Sequence, residues 1–291
     1  ANTGSIPLLR DIINFTCLSK GYIPLHASAF LYDSVGIVVM GWPKGGKTGA
    51  MLAFMNQGAR YVGDEWIILS GDGQKMFGLP APVAVSDWQF KHIPGLMPKL
   101  SAGQRILFGS IHLLEAVYNR VGNGRARQLF PIKLLKKGLP SLKRQLKITK
   151  PPQVLFKDRF DELAAAPDKL FLIMSHSQAE IDVQPCNPLT LARQMAQANE
   201  YEQKEFFDYY KAFQFSFPHL KNELLDNIAS RQSTLLSRAL TGKETYLVLH
   251  PYAGPLVALF ERIRPFCART ISTPYLSRAN HQSVKPLKTQ L

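Results

Sequence analysis

Cysteine is scarce: Cys17, Cys186 and Cys267 are the only three in 291 residues, they lie far apart, and none forms a CxxC pair. A disulfide framework and a structural zinc site are excluded on that spacing. A reducing cytoplasm is the expected compartment, and the thiols are expected in the core. Long hydrophobic runs are missing too. The longest apolar stretches, such as Gly36-Ile-Val-Val-Met40, are strand-sized, far short of the ~20 residues that a membrane-spanning helix needs. No basic start leads into an apolar block with a small-residue cleavage site, so no secretion signal is expected. The chain starts at Ala1 rather than Met, which leaves room for residues upstream. Charged residues are few, at 19% against 46% hydrophobic. That composition argues against wholesale disorder and supplies a core for one large domain or two small ones. Repeats and low-complexity blocks are absent.

Acidic residues are absent from one long stretch. Between Arg120 and Lys157 there are eleven Lys or Arg and no Asp or Glu, so this segment carries most of the net charge of +14. Its apolar residues, among them Ile132, Leu135, Leu139, Leu142 and Leu146, alternate with the lysines. That pattern suits an amphipathic segment on an anionic membrane at the inner face, or an acidic partner. A solvated insertion is the alternative. Only Phe130 and Phe156 interleave the charges, and no recognition helix or RNA-binding signature accompanies them, which argues against nucleic acid.

Periodicity predicts an N-terminal helix within residues 1–20, a strand over 25–32, a fully apolar strand over 36–40, and a helix over 48–57. Short strands follow at 60–63 and 66–70. Gly71-Asp-Gly73 then turns the chain back through 74–78. Residues 79–100 read as extended loop, with a helix over 104–120 beyond. Later come a strand at 169–174, a long helix over 189–213, a helix over 220–240, a strand at 245–249 and a helix over 254–267. The polar tail 271–291 reads as loose.

The segment Gly41-Trp-Pro-Lys-Gly-Gly-Lys-Thr48 fits the G-x-x-x-x-G-K-[ST] phosphate-loop pattern between a buried strand and a helix. Gly45 and Gly46 let backbone N–H groups turn inward, and the positive helix end adds to them. Lys44 supplies a second cation beside Lys47. Lys47 is expected to reach the terminal phosphates of ATP or GTP, and Thr48 to offer its hydroxyl to Mg²⁺. Asp64-Glu65 lies sixteen residues past Thr48, where one carboxylate would hold the metal and the other act as general base. His26 lies on the preceding strand, which hairpin pairing would bring toward the loop.

The order Leu25-His26-Ala27-Ser28, then Gly41 to Thr48, then Gly58-Ala-Arg-Tyr-Val-Gly-Asp64-Glu65, resembles the HPr kinase/phosphorylase-related family. The match is clear over roughly residues 21–82 and weaker over 185–265, where Glu200, Glu202 and Glu205 precede a terminal strand and helix. The resemblance implies an α/β phosphoenolpyruvate-carboxykinase-like P-loop domain over 21–270, with a mixed, partly antiparallel sheet flanked by helices. It implies nucleotide binding by Gly41, Gly46 and Lys47, and Mg²⁺ ligation by Thr48. Asp64 would be the catalytic carboxylate, Glu65 the metal-associated one, and His26 the histidine near the transferred phosphate. A homo-oligomer is implied as well. Glu65 stands where the family has a second Asp, Trp42-Pro43-Lys44 replaces a small polar run, and no Glu-x-Arg-Gly segment follows Gly78. The last of these departures argues against phosphorolysis and against HPr as substrate. The expected function is therefore an ATP-dependent kinase acting on an alcohol hydroxyl of a protein serine, a sugar or a small molecule. A nucleotide-binding regulator without catalysis is the alternative.

Overall fold

The computed structural model describes residues 8–90, 92–94, 100–121, 138–139, 141–143, 145–160, 162–252 and 254–269. In chain order the elements are helix α1 (Leu9–Ser19), strands β1 (Ile23–Leu25), β2 (Ala27–Tyr32) and β3 (Val35–Met40), and helix α2 (Lys47–Met55). Strands β4 (Arg60–Gly63), β5 (Ile67–Leu69), β6 (Met76–Gly78) and β7 (Val83–Ser86) lead to helices α3 (Asp87–Phe90) and α4 (Ala102–Val121). Next come β8 (Lys147–Lys150), α5 (Pro152–Phe156), β9 (Ala164–Ala165), β10 (Lys169–His176) and β11 (Asp182–Pro185). Helices α6 (Pro188–Glu202), α7 (Lys204–Ser216), α8 (Glu223–Asp226) and α9 (Ile228–Leu240), strand β12 (Glu244–Pro251) and helix α10 (Leu256–Ile263) complete the order.

The apolar run before the loop becomes the middle of a six-stranded sheet ordered β11-β12-β10-β3-β2-β4. Strand β3 pairs parallel with β10 and antiparallel with β2, while β10 and β12 are parallel. The fold is therefore α/β with a mixed sheet. Every residue of β3 is buried, because both faces are covered. Val35, Ile37 and Val39 join a core with α2 and α10, where Met51, Phe54 and Phe260 pack. Val38 and Met40 point the other way, into a core with α6 and α9 residues such as Met195 and Leu236. That second core also takes Ile23, Leu25, Ile67, Leu69 and Met76 from a four-stranded antiparallel sheet, β1-β5-β6-β9. Strand β1 belongs to the smaller sheet and β2 to the larger, so the strand expected over 25–32 is broken, and His26 is the one residue between those two strands.

Several expectations need correction. Residues 79–100 are not plain loop: Val83 and Val85 alternate with Ala84 and Ser86 to form β7, which pairs with β8, and α3 follows at once. The helix expected over 189–213 is two, separated at Gln203, whose buried side chain accepts a hydrogen bond from Gln232. Strand β11 joins the sheet edge without having been anticipated. Of the three thiols only Cys267 is buried. In the basic stretch, Leu139 and Leu146 are buried and Leu142 packs against the protein's own core, so these three are not free to enter a bilayer. Arg125, Arg127, Lys133, Lys136, Lys137 and Arg144 lie outside the described residues, as does the tail 271–291. Among the described residues no helix is long and apolar enough to cross a membrane.

Candidate functional site

The loop from Gly41 to Gly46 leaves the carboxyl end of the central strand, where ligands gather in open α/β sheets. Gly41 has φ 155°, and a Cβ there would meet the Ile173 carbonyl oxygen at 2.4 Å. Gly46 has φ 109° and caps α2 with no side-chain cap. The first-turn N–H groups of α2, from Lys47 to Gly49, therefore open toward the loop mouth. Lys44 adopts a left-handed φ of 63° and lines the same cleft. Lys47 is buried, and its ammonium donates to the carbonyls of Gly41 and Trp42, at 3.1 Å each. An ammonium has three donors, so one remains for a ligand. Burial lowers the Lys47 pKa, against the raising effect of Glu65, Glu202 and Asp64.

Asp64 sits in the bend after β4 and is 2% exposed. The Ser28 hydroxyl donates to its Oδ1 at 2.5 Å, and the Thr48 hydroxyl lies 3.1 Å from Oδ2. Burial pushes the Asp64 carboxyl up to about 6, with the Glu65 charge adding and the Ser28 and Thr48 bonds opposing. Glu65 does not lie in a strand, as opposite-face projection required. Its φ of 65° is left-handed, a strain of order 1–3 kcal/mol that turns its carboxylate away from Asp64 by another route.

That turn brings Glu65 to His26. The imidazole Nε2 is 3.2 Å from Glu65 Oε2, and Nδ1 is 2.9 Å from Glu202 Oε1 at the end of α6. Trp66 stacks behind the ring at 5.6 Å, and Arg10 of α1 covers Trp66. Burial alone would lower the His26 pKa, but the two carboxylates outweigh it and the net shift is upward. Pairing with His26 holds both glutamates below their usual value.

One cleft of about 380 Å³ collects these groups: His26, Lys44, Gly46, Lys47, Thr48, Asp64, Glu65 and Glu202 all line it. Gly41 and Gly45 do not line it. The site also draws on residues that sequence reasoning did not single out. Ser28 anchors Asp64, and its place four residues ahead of Tyr32 on an apolar strand gave no sign of this. His250, at the end of β12, places Nε2 2.8 Å from the Gly45 carbonyl oxygen. Trp88, Gln89 and Tyr252 line the cleft as well. Their signal was weak: each sits alone in a segment read as loop or strand end.

The donor set suits a hard divalent cation, since Thr48 and Asp64 offer oxygen only. Among the described residues no group of three or more His, Cys, Asp or Glu side chains forms a metal cage, so such a cation would complete its shell with phosphate oxygens and water. No protein-family model and no curated protein matches the chain, so the case for the site is geometric.

Proposed function

We propose that this chain is a phosphotransferase that moves the terminal phosphoryl group of ATP or GTP to an alcohol hydroxyl of a protein serine, a sugar or a small molecule, on an HPr-kinase-related P-loop domain. The observation that carries the reading is the Thr48 hydroxyl beside the Asp64 carboxylate at the mouth of the glycine-rich loop. Thr48 and Asp64 would hold Mg²⁺, which would supply positive charge against that of the phosphates. Lys47 and the first-turn N–H groups of α2 would stabilise the charge on the transferred group. In the transfer, the acceptor oxygen forms a new O–P bond as the bridging O–P bond breaks, and the hydroxyl proton passes to a carboxylate. Asp64, sealed by Ser28 and Thr48, suits the cation. Glu65, with its side chain 49% exposed, suits the acceptor, the reverse of the roles implied by family resemblance.

One observation favours the regulator reading. Glu65 is bonded to His26 and its pKa is lowered, which weakens it as a base. Calorimetry with Mg-ATP and Mg-GTP tests the shared first step, and no heat of association would remove both readings. Labelled ATP in a lysate of the source organism separates them: a labelled product supports transfer, and binding without product supports the regulator.

A further inference from the structure

The cleft changes character from one end to the other. Its ionisable side chains come from the glycine-rich loop, the Asp64–Glu65 bend, His26, Glu202 and His250. A second set of lining residues, Trp88, Gln89, Ile181, Tyr252, Pro255 and Leu256, forms a wall with no charged group, and Gln89 and Leu256 both lie beside Gly49. On the triphosphate reading, on which this inference rests, Thr48 and Asp64 fix the end that holds the terminal phosphate. The chain of phosphates then follows the first turn of α2, and the nucleoside leaves past Gly49, toward the apolar wall.

Gln89 marks that exit. It is 5% exposed, and its Oε1 accepts the Ser86 N–H at 2.8 Å, which fixes which way the amide faces. Its Nε2 lies 3.5 Å from the place a Cβ on Gly49 would take, and it has no hydrogen-bond acceptor among the described residues. That donor belongs to a residue lining the cleft, where a ligand oxygen could accept from it. Trp88 beside it is half-buried, and Tyr252 of the same wall is 70% exposed.

We propose that this wall is a nucleoside subsite. Trp88 and Tyr252 supply aromatic faces for the base, and Gln89 donates to an oxygen of the ribose or of the phosphate nearest it. Stacking uses the face of a base rather than its edge, and no charged side chain here reads an edge. The subsite therefore takes adenine and guanine alike and discriminates against the smaller pyrimidines.

Competition titration of the full chain with the Mg²⁺ complexes of ATP, GTP, CTP and inorganic tripolyphosphate tests the proposal. ATP and GTP should bind alike, both on the order of tenfold more tightly than tripolyphosphate, with CTP between them. Trp88→Ala should remove about tenfold from ATP affinity and leave tripolyphosphate unchanged. Tyr252→Ala, at an exposed position that folding does not depend on, should act in the same direction by a smaller factor. Equal affinity for ATP and tripolyphosphate in the parent protein, or equal losses for both ligands in the variants, would overturn the subsite while leaving the triphosphate reading intact. Failure of every one of these ligands to bind would overturn both.

Discussion

His250 Nε2 lies 2.8 Å from the Gly45 carbonyl oxygen, so the end of β12 is fastened to the middle of the glycine-rich loop. A Cβ on residue 46 would fall 2.5 Å from the same nitrogen. The histidine and the glycine thus occupy complementary space.

Removing either should disturb the loop to different degrees. His250→Ala deletes the ring contacts to the Gly45 and Pro251 carbonyl oxygens; losing the one to the loop, about 1 kcal/mol, is expected to weaken Mg-ATP binding by about fivefold. Gly46→Ala adds a clash to a left-handed backbone and is expected to cost on the order of 1–3 kcal/mol of stability, with binding lost. Calorimetry and thermal melts read both. Gly46→Ala binding at parental affinity would show that the loop does not hold phosphate in this conformation.

Asp64 should limit stability at neutral pH. Its folded pKa of about 6 exceeds the ordinary 3.8, so between those values the native state holds more protons than the unfolded chain. Stability therefore falls as pH rises across that window, and the penalty is complete above it. Asp64→Asn removes the ionisation and is expected to stabilise the ligand-free protein by on the order of 2–3 kcal/mol at pH 8, with little gain at pH 4. Urea unfolding at both pH values checks this, and equal gains at both would refute it.

The two adjacent carboxylates should separate in their effects. Asp64→Asn is expected to abolish the Mg²⁺ dependence of nucleotide binding. In the parent protein that dependence should fade below about pH 6, by about tenfold per pH unit, as protons compete for Asp64. Glu65→Gln is expected to leave nucleotide affinity unchanged while lowering turnover on the order of 100-fold or more. Affinity and single-turnover rates measured on both variants decide the assignment. Loss of metal dependence in Glu65→Gln alone would restore the roles implied by family resemblance.

His26 should stabilise the fold over a bounded pH range. Its raised pKa gives a contribution that is full below 6.5 and lost as pH rises through the folded value. Glu65 and Glu202, with lowered values, contribute above 4.5 and lose their share as pH falls through their folded values. The Tm deficit of His26→Asn relative to the parent is therefore expected to be largest between about pH 4.5 and 6.5 and to shrink on both sides. A deficit that stays constant from pH 4 to pH 9 would mean that packing against Trp66, not charge, explains the residue.

What the sequence made legible was local. Strand β3, the loop and α2 are contiguous, and their pattern of apolar run, glycines and Lys-Thr is readable without knowing any partner. Asp64 was legible because a short strand precedes it. Glu202, Gln89 and His250 arrive at the cleft from α6, α3 and β12, and nothing in their own neighbourhoods records that convergence. The division of 189–213 at Gln203 was hidden for the same reason, since the partner of that buried amide, Gln232, lies in α9. Strand β7 was different: its alternation was present, but the surrounding prolines outweighed it.

The position of His26 between strands of two different sheets has a mechanical consequence. Strand β1 on one side is carried by the smaller sheet, and β2 on the other runs along the loop-bearing strand β3. A ligand or neighbour that shifts the smaller sheet would move the imidazole relative to Glu202, which is carried by α6. Contacts far from the cleft thereby gain leverage over its geometry.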